Sequence, residues 1–270
     1  MNWRQKLLEV AHQNNSLLCI GLDTDMEKIP QFLLETSKHP MLDFNKEIIN
    51  ATKDLVCAYK LNLAFYEVLG KQGMGVLEQT LRCIPSNIVV ILDGKRNDIG
   101  NTAHKYAQSL FDVLKADAVT VNPYLGKDGL TPFLNYKDKC SFILCRTSNP
   151  SAGDFQDLKI SSVPLYQHVA HKIREWNLND NCGAVVGATY PEELKIVRGI
   201  LGDSIPILIP GVGKQGGDVE TTVKHGINAQ GELAVINSAR DIIFAAQNEQ
   251  YADHARKKAE TLRDHINKYR

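Results

Sequence analysis

The chain has 270 residues, of which 43% are hydrophobic and 23% are charged, a composition typical of a globular protein with a sizeable core. Its 31 basic and 31 acidic residues give a formal net charge of zero, which argues against general binding to nucleic acid or to an anionic membrane surface. The longest apolar runs, such as residues 88–92, have only five residues. We therefore expect no transmembrane span and no signal peptide, and a cytoplasmic protein.

Apolar runs rich in β-forming residues recur eight times along the chain. They predict strands over residues 16–23, 57–65, 87–95, 118–123, 141–147, 182–188, 205–213 and 233–240. Because the runs are nearly continuous rather than alternating, the strands are expected to be buried on both faces, as in a parallel sheet.

Stretches with helical spacing separate these strands. They predict helices over residues 43–54, 68–82, 99–115, 163–176, 191–201, 218–225 and 251–268, with a weaker helix over 131–136. A first helix over residues 2–12 is expected to cover the bottom of the fold.

Eight β-α units of about 34 residues each account for the whole length. The sequence therefore predicts an α/β protein, a closed (β/α)8 TIM barrel. No linker composition divides the chain, so we expect one domain over residues 1–270 with an N-terminal helical extension. An open doubly wound sheet is the alternative fold.

The six cysteines contain no C-x-x-C pair and mostly fall inside apolar runs, which predicts reduced core residues. His168 and His171 share one helical face but lack the H-E-x-x-H context of a zinc site. We therefore expect no metal site.

Charged residues gather where the first three strands end. Asp23 ends the first strand, Lys60 lies on the second, and Asp93 and Lys95 end the third. Asp93 and Lys95 are two residues apart and share a face, and Lys60 on the adjacent strand can reach the same space. One interpretation is a structural ion pair that closes the barrel top. The number of charges on three successive strand ends favours a catalytic site, since TIM barrels place their chemistry there.

Further candidates follow other strands. Asp98 precedes the helix over 99–115 and is equally well placed as a helix N-cap, one turn before Thr102. The fifth strand leads to Ser148. Residues 211–217 match G-x-G-x-x-G, but only 53 residues follow, which favours a phosphate-binding loop, together with Arg240 on the next strand end, over a dinucleotide fold.

These segments resemble one family in chain order. The resemblance rests on G-L-D at 21–23, Y-K-L-N-L-A-F-Y-E at 59–67, L-D-G-K-R-N-D-I-G-N-T-A at 92–103, N-P-Y-L-G-K-D at 122–128, R-T-S-N-P-S at 146–151, V-G-A-T-Y-P at 186–191, P-G-V-G-K-Q-G-G at 210–217 and N-S-A-R at 237–240. On these residues the chain is similar to the orotidine 5′-phosphate decarboxylases, in particular their bacterial type 2 branch.

The resemblance implies a cofactor-free decarboxylation of orotidine 5′-phosphate to UMP in de novo pyrimidine biosynthesis. Lys95 would protonate C6 of the pyrimidine, with Asp93 and Asp98 beside it against the substrate carboxylate. Lys60 and Asp23 would hold the ribose hydroxyls.

The same resemblance implies a homodimer in which Asp98 and Thr102 reach across the interface into the partner's site. Ser148 would contact the pyrimidine, and the phosphate would bind Gln215, Arg240 and the loop that contains Gly213.

Three positions depart from the family pattern, namely Gly94, Asn97 and Ala239, where Ala, Gly and Ser are common. A sugar-phosphate enzyme of the same superfamily, such as a hexulose-phosphate synthase or a ketogulonate-phosphate decarboxylase, is the nearest alternative and would require Mg²⁺. A non-catalytic phosphate-ligand binder is the second.

Overall fold

The computed structural model describes residues 2–212 and 218–270, and its main element is a closed barrel of eight parallel strands. The strands, with the two of a separate antiparallel hairpin (β6 and β7), are β1 (Leu18–Gly21), β2 (Ala58–Asn62), β3 (Val89–Arg96), β4 (Ala118–Val121), β5 (Cys140–Arg146), β6 (Lys159–Ile160), β7 (Val163–Pro164), β8 (Cys182–Val186), β9 (Ile207–Pro210) and β10 (Ala234–Ser238). Around the barrel the order is β1-β2-β3-β4-β5-β8-β9-β10, and β10 pairs with β1. The predicted (β/α)8 barrel is confirmed, and the open-sheet alternative is wrong.

Helices surround the barrel. The described ranges contain two short 3-10 helices, Met26–Lys28 and Pro150–Ala152, and thirteen α-helices: α1 (Trp3–Gln13), α2 (Gln31–Thr36), α3 (Pro40–Thr52), α4 (Ala64–Glu67), α5 (Gly70–Cys83), α6 (Gly100–Gln108), α7 (Lys127–Leu134), α8 (Gly153–Gln156), α9 (Leu165–Trp176), α10 (Pro191–Leu201), α11 (Val219–Gly226), α12 (Arg240–Ile243) and α13 (Tyr251–Asn267). All nine predicted helices are present with shifted ends, and α6 continues as a π-helical turn over Ser109–Val113.

The differences from the prediction are of two kinds: α2, α8 and the β6–β7 hairpin were not predicted, and several predicted elements have other ends. Residues 63–65, predicted as strand, form the N-cap and the first residues of α4, where the Asn62 side chain accepts a hydrogen bond from the Ala64 N–H. Residues 239–240 were also predicted as strand, but β10 ends at Ser238, because Ala239 leaves the extended conformation (φ −125°, ψ −92°) and Arg240 begins α12. Residues 163–164 belong to β7 rather than to a helix.

Helix α1 covers the N-terminal ends of the strands. Its Trp3 N–H donates to the Asp138 carbonyl, just before β5. Lys6 Nζ lies 2.6 Å from Asp117 Oδ2, just before β4. Because Trp3 and Leu7 are buried there, this end of the barrel is closed, and the C-terminal end is left for a cavity.

The barrel interior below that cavity is filled by side chains. Leu144 and Val185 line the cavity, so Phe142 and Gly183, two residues earlier on the same strands, face inward by strand alternation. A Cβ at Gly183 would lie 2.5 Å from the Phe142 ring, which shows that the ring occupies the space the glycine leaves. This packing makes a solid floor for the site.

All six cysteines are free, and five of them are buried, while Cys83 is partly exposed. No helix within the described ranges is both long and apolar enough to cross a membrane.

Candidate active site

A cavity of about 440 Å³ opens at the C-terminal end of the barrel, and its wall is formed by residues of seven barrel strands and by Asp23, just after β1. This volume is in the range of small-molecule sites. It brings together six of the predicted site residues: Asp23, Lys60, Asp93, Lys95, Ser148 and Arg240.

Four of these form an alternating row of charges, Asp23–Lys60–Asp93–Lys95. Lys60 Nζ lies 2.9 Å from Asp93 Oδ2 and 3.4 Å from Asp23 Oδ1. Lys95 Nζ lies 2.7 Å from Asp93 Oδ1. The register explains the row, because Lys60 on β2 pairs with Ile91 on β3 and Asn62 pairs with Asp93. The predicted proximity of these residues is confirmed.

Neighbouring charges in this row stabilise the ionised forms of Lys60 and Asp93. Burial disfavours the charged form of Lys60, but Asp23 and Asp93 outweigh it and raise the pKa of the ammonium above its ordinary 10.5. Burial likewise opposes ionisation of Asp93, yet Lys60 and Lys95 hold the pKa of its carboxyl well below its ordinary 3.8. Both groups are therefore charged at neutral pH.

Lys95 differs from Lys60 in its exposure and its backbone. Its side chain is 47% exposed and faces the cavity, whereas that of Lys60 is 4% exposed. Lys95 has φ +46°, a left-handed conformation that is uncommon for a residue other than glycine. Such conformations are concentrated at functional sites, where the surrounding structure holds them.

Thr120 on β4 lies among these charges and was not predicted from the sequence. Its hydroxyl donates to Asp93 Oδ1 at 2.8 Å and accepts from the Lys95 N–H at 2.9 Å. Threonine is an ordinary strand residue, so its type carries no signal. The signal that could have identified Thr120 is its position near the end of β4, beside the charged end of β3.

The β5 end forms the opposite wall and carries Ser148. Gln156 fixes the preceding residue, because its Oε1 accepts from the Thr147 N–H and its Nε2 donates to Thr147 Oγ1, each at 2.8 Å. A Cβ at Gly187 would lie 2.8 Å from Ser148 Cβ, so glycine there allows the wall to pack closely. Thr147, Asn149 and Gln156 also line the cavity and were not predicted.

A buried arginine supports this wall from behind. Arg146, 2% exposed, lies 3.0 Å from Asp157 Oδ2 and places its guanidinium 3.8 Å from the centre of the Tyr190 ring. A guanidinium stacked on a ring and paired with a carboxylate is held in a fixed orientation. We therefore assign Arg146 to the scaffold.

The remaining end of the cavity carries Arg240. Arg240 is exposed and lines the cavity with Gly211, Val212 and the β10 end. Gly211 has φ +100°, which strains any other residue. Gly213 and Gln215, predicted in the same loop, lie outside the described residues.

Of the predicted site residues that the structure describes, Asp98 and Thr102 are the two that do not line the cavity of their own chain. Asp98 Oδ1 accepts from the Ile99 N–H at 2.8 Å. Helix α6 begins at Gly100 after Ile99, without a side-chain cap, so the capping interpretation of Asp98 is wrong. Thr102 is exposed on α6.

The described residues contain no group of three or more His, Cys, Asp or Glu side chains placed to hold a metal ion.

Comparison with known proteins assigns the fold and the motifs to one family. Residues 16–255 match the family model described as "Orotidine 5'-phosphate decarboxylase / HUMPS family". The chain belongs to this family. The resemblance carried by the strand-end motifs is thereby confirmed, and the chain is an enzyme of the orotidine 5′-phosphate decarboxylase / HUMPS family.

Individual members of the family match over nearly the whole chain. The protein named orotidine 5′-phosphate decarboxylase from Dehalococcoides mccartyi strain BAV1 is 47% identical over 274 residues, covering 100% of this chain and 99% of the relative. The solved structure of Leishmania donovani OMP decarboxylase has a TM-score of 0.84 and 36% identity, covering 98% of this chain and 99% of that one. Leishmania donovani UMP synthase gives a TM-score of 0.89 and 38% identity over 100% of this chain, which spans only 56% of that longer protein.

Proposed function

We propose that this member of the family decarboxylates orotidine 5′-phosphate to UMP, without a cofactor, in the cytoplasm and in the pathway of pyrimidine biosynthesis. The observation that carries the proposal is the row Asp23–Lys60–Asp93–Lys95 inside a nucleotide-sized cavity. The full-length relative of 47% identity carries the name of the same activity. Six free cysteines are in keeping with a reducing compartment.

Lys95 is the proposed proton donor. When the bond between C6 and the carboxylate carbon breaks, carbon dioxide leaves and the electron pair stays on C6. A proton from Lys95 Nζ forms the new C6–H bond, and the amine regains a proton from solvent. A preorganised ammonium beside Asp93 places positive charge where negative charge develops, without reorganisation at the moment of reaction.

Asp93 has two proposed roles. It orients the Lys95 ammonium through the 2.7 Å contact. It also stays ionised itself, because the neighbouring lysines lower its pKa, so a substrate carboxylate placed beside it meets a like charge. Loss of carbon dioxide removes that repulsion.

The other residues bind the parts of the substrate that do not react. Lys60 and Asp23 hold the ribose hydroxyls, and Ser148 contacts the pyrimidine. Arg240, with Gly213 and Gln215 of the loop outside the described residues, binds the phosphate. Phosphate binding far from C6 contributes energy for orientation at the reacting atoms.

We further propose a homodimer in which Asp98 and Thr102 complete the site of the partner subunit. Asp98 lies beside an exposed apolar surface. Gly129 packs closely against both the Asp98 carbonyl and the exposed Leu125, since a Cβ at Gly129 would lie 2.9 Å from that carbonyl and 3.4 Å from Leu125 Cβ. Ile99 is 56% exposed and Tyr124 77% exposed, and Tyr124 contacts the ring of Phe155. An exposed apolar patch beside a predicted site residue is typical of a subunit interface.

The test is turnover of orotidine 5′-phosphate by purified, chelator-treated protein, followed by the loss of substrate absorbance with UMP identified as the product. We expect full activity in EDTA. Strict dependence on Mg²⁺ would support the sugar-phosphate alternative. UMP binding without turnover would support the non-catalytic binder.

A further inference from the structure

Within the part of the chain that the structure describes, Thr120 has the one uncharged side chain that hydrogen-bonds to both Asp93 and Lys95. It lies in β4, is 1% exposed, and lines the cavity. Neither the motifs nor the proposed mechanism gives it a role.

The pairing of β3 with β4 is irregular at this level. Leu92 pairs with Val119, but the next pair is Arg96 with Val121, so three residues of β3 lie opposite Thr120 alone. Such a bulge leaves backbone groups without their ladder partners. Lys95 is within the bulge and has φ +46°.

The Thr120 hydroxyl replaces the missing ladder contact. The Lys95 N–H donates to Thr120 Oγ1 at 2.9 Å rather than to a β4 carbonyl. The same hydroxyl donates to Asp93 Oδ1 at 2.8 Å, the oxygen that also contacts Lys95 Nζ at 2.7 Å. One hydroxyl therefore fixes the backbone of Lys95 and the carboxylate that orients its ammonium.

We propose that Thr120 is a positioning residue for proton transfer, which holds Lys95 in its left-handed conformation and aims Asp93 at the ammonium. This inference rests on the proposed function. A hydroxyl on a short side chain, as in threonine or serine, supplies both the donor and the acceptor. Without it, the Lys95 N–H loses its partner, the bulge can relax, and the direction of the Lys95 side chain changes.

The effect is confined to the chemical step. Lys60 and Arg240, proposed to bind the ribose and the phosphate, have no hydrogen bond to Thr120 among the described contacts. Loss of the Thr120 hydroxyl should therefore preserve substrate binding and misplace the reacting atoms. A shift of about 1 Å in such atoms lowers the rate on the order of 100-fold.

The experiment compares kcat, KM, UMP affinity and urea unfolding for wild type, Thr120→Val and Thr120→Ser. Valine has the shape of threonine without the hydroxyl, and serine restores the hydroxyl. Thr52→Val is the matched control, because the Thr52 hydroxyl is also buried and also makes two hydrogen bonds, to the Ile48 carbonyl and the Tyr59 hydroxyl, each at 2.7 Å.

For Thr120→Val we expect kcat to fall on the order of 100-fold, with KM and UMP affinity within about twofold of wild type. Thr120→Ser should recover most of kcat, and Thr52→Val should lose stability but keep kcat. If Thr120→Val does not fold, Thr120→Cys keeps the size with a much weaker donor and acceptor, and its kcat should also fall.

Wild-type kcat in folded Thr120→Val or Thr120→Cys would overturn the inference, as would an equal loss of kcat in Thr52→Val or no recovery in Thr120→Ser. A wild-type protein that does not turn over orotidine 5′-phosphate would instead refute the proposed function, so the two failures are distinguishable.

Discussion

Lys60 Nζ lies 2.9 Å from Asp93 Oδ2, and both side chains are nearly excluded from water. A buried ion pair of this kind adds little net stability, because desolvation offsets the attraction between the charges. Removing one partner is nevertheless costly, since the other charge stays buried. The position of the pair at the open end of a barrel therefore indicates a role in binding or catalysis rather than in stability.

Asp93→Asn should abolish turnover and lower the free energy of unfolding by about 3 kcal/mol, because it leaves the Lys60 ammonium with Asp23 alone. Urea unfolding and the substrate-absorbance assay measure the two effects. Asp54→Asn is the control, because Asp54 pairs with Arg256 at the surface, and its loss should cost less than about 1 kcal/mol. Equal losses of stability in the two variants would contradict the assignment of a buried charge row.

The stability that Asp93 contributes should depend on pH. Its pKa is lowered in the folded protein, so the contribution is present above the ordinary value of 3.8 and is lost as the pH falls through the folded pKa. The difference in unfolding free energy between wild type and Asp93→Asn should therefore be constant from about pH 5 to pH 9 and shrink below about pH 4. A difference that stays constant or grows in acid would show that Asp93 is not held ionised by the lysines.

Sharing of the site between subunits can be tested by mixing inactive variants. In a heterodimer of Lys95→Ala and Asp98→Ala chains, one site carries both changes and the other carries neither. Random mixing should therefore restore about a quarter of wild-type activity.

The matched control mixes Lys95→Ala with Asp93→Asn, since Lys95 and Asp93 belong to one chain and contact each other. That mixture should stay inactive. Recovery in the control, or none in the first mixture despite confirmed heterodimers, would contradict a site completed by Asp98 of the partner chain.

Thiol reactivity should separate Cys83 from the other cysteines. Burial raises the pKa of the Cys57, Cys145 and Cys182 thiols to about 12, and Cys19 and Cys140 are buried too, whereas Cys83 is partly exposed. A maleimide should therefore label one thiol rapidly in the native protein and six in denaturant. Cys83→Ser should remove the rapid phase of labelling. Rapid labelling of a second thiol in the native protein would contradict the burial of the other five cysteines.

The barrel could be predicted from the sequence because its strands are continuous apolar runs, and the charged residues that interrupt them at their ends mark the site. The short helices α2, α4, α8 and α12 were missed, because four to six residues are too few to show helical spacing. Lys95 adopts a left-handed backbone that its residue type does not indicate.

Contacts that depend on how neighbouring strands pair could likewise not be predicted from the sequence. Thr120 acquires its position only when β4 lies beside the bulge in β3. Asp98 and Thr102 lie outside the cavity of their own chain, so their role depends on a second copy and stays a prediction.

Lys95→Ala tests the central claim most directly, in an assay of orotidine 5′-phosphate turnover paired with a measurement of UMP affinity. The Lys95 side chain is 47% exposed, so its removal should leave the fold intact. The account predicts that turnover is lost while UMP still binds, and that Lys172→Ala, which removes a surface lysine on α9, changes neither. Near-normal turnover by Lys95→Ala would contradict the assignment of Lys95 as the proton donor.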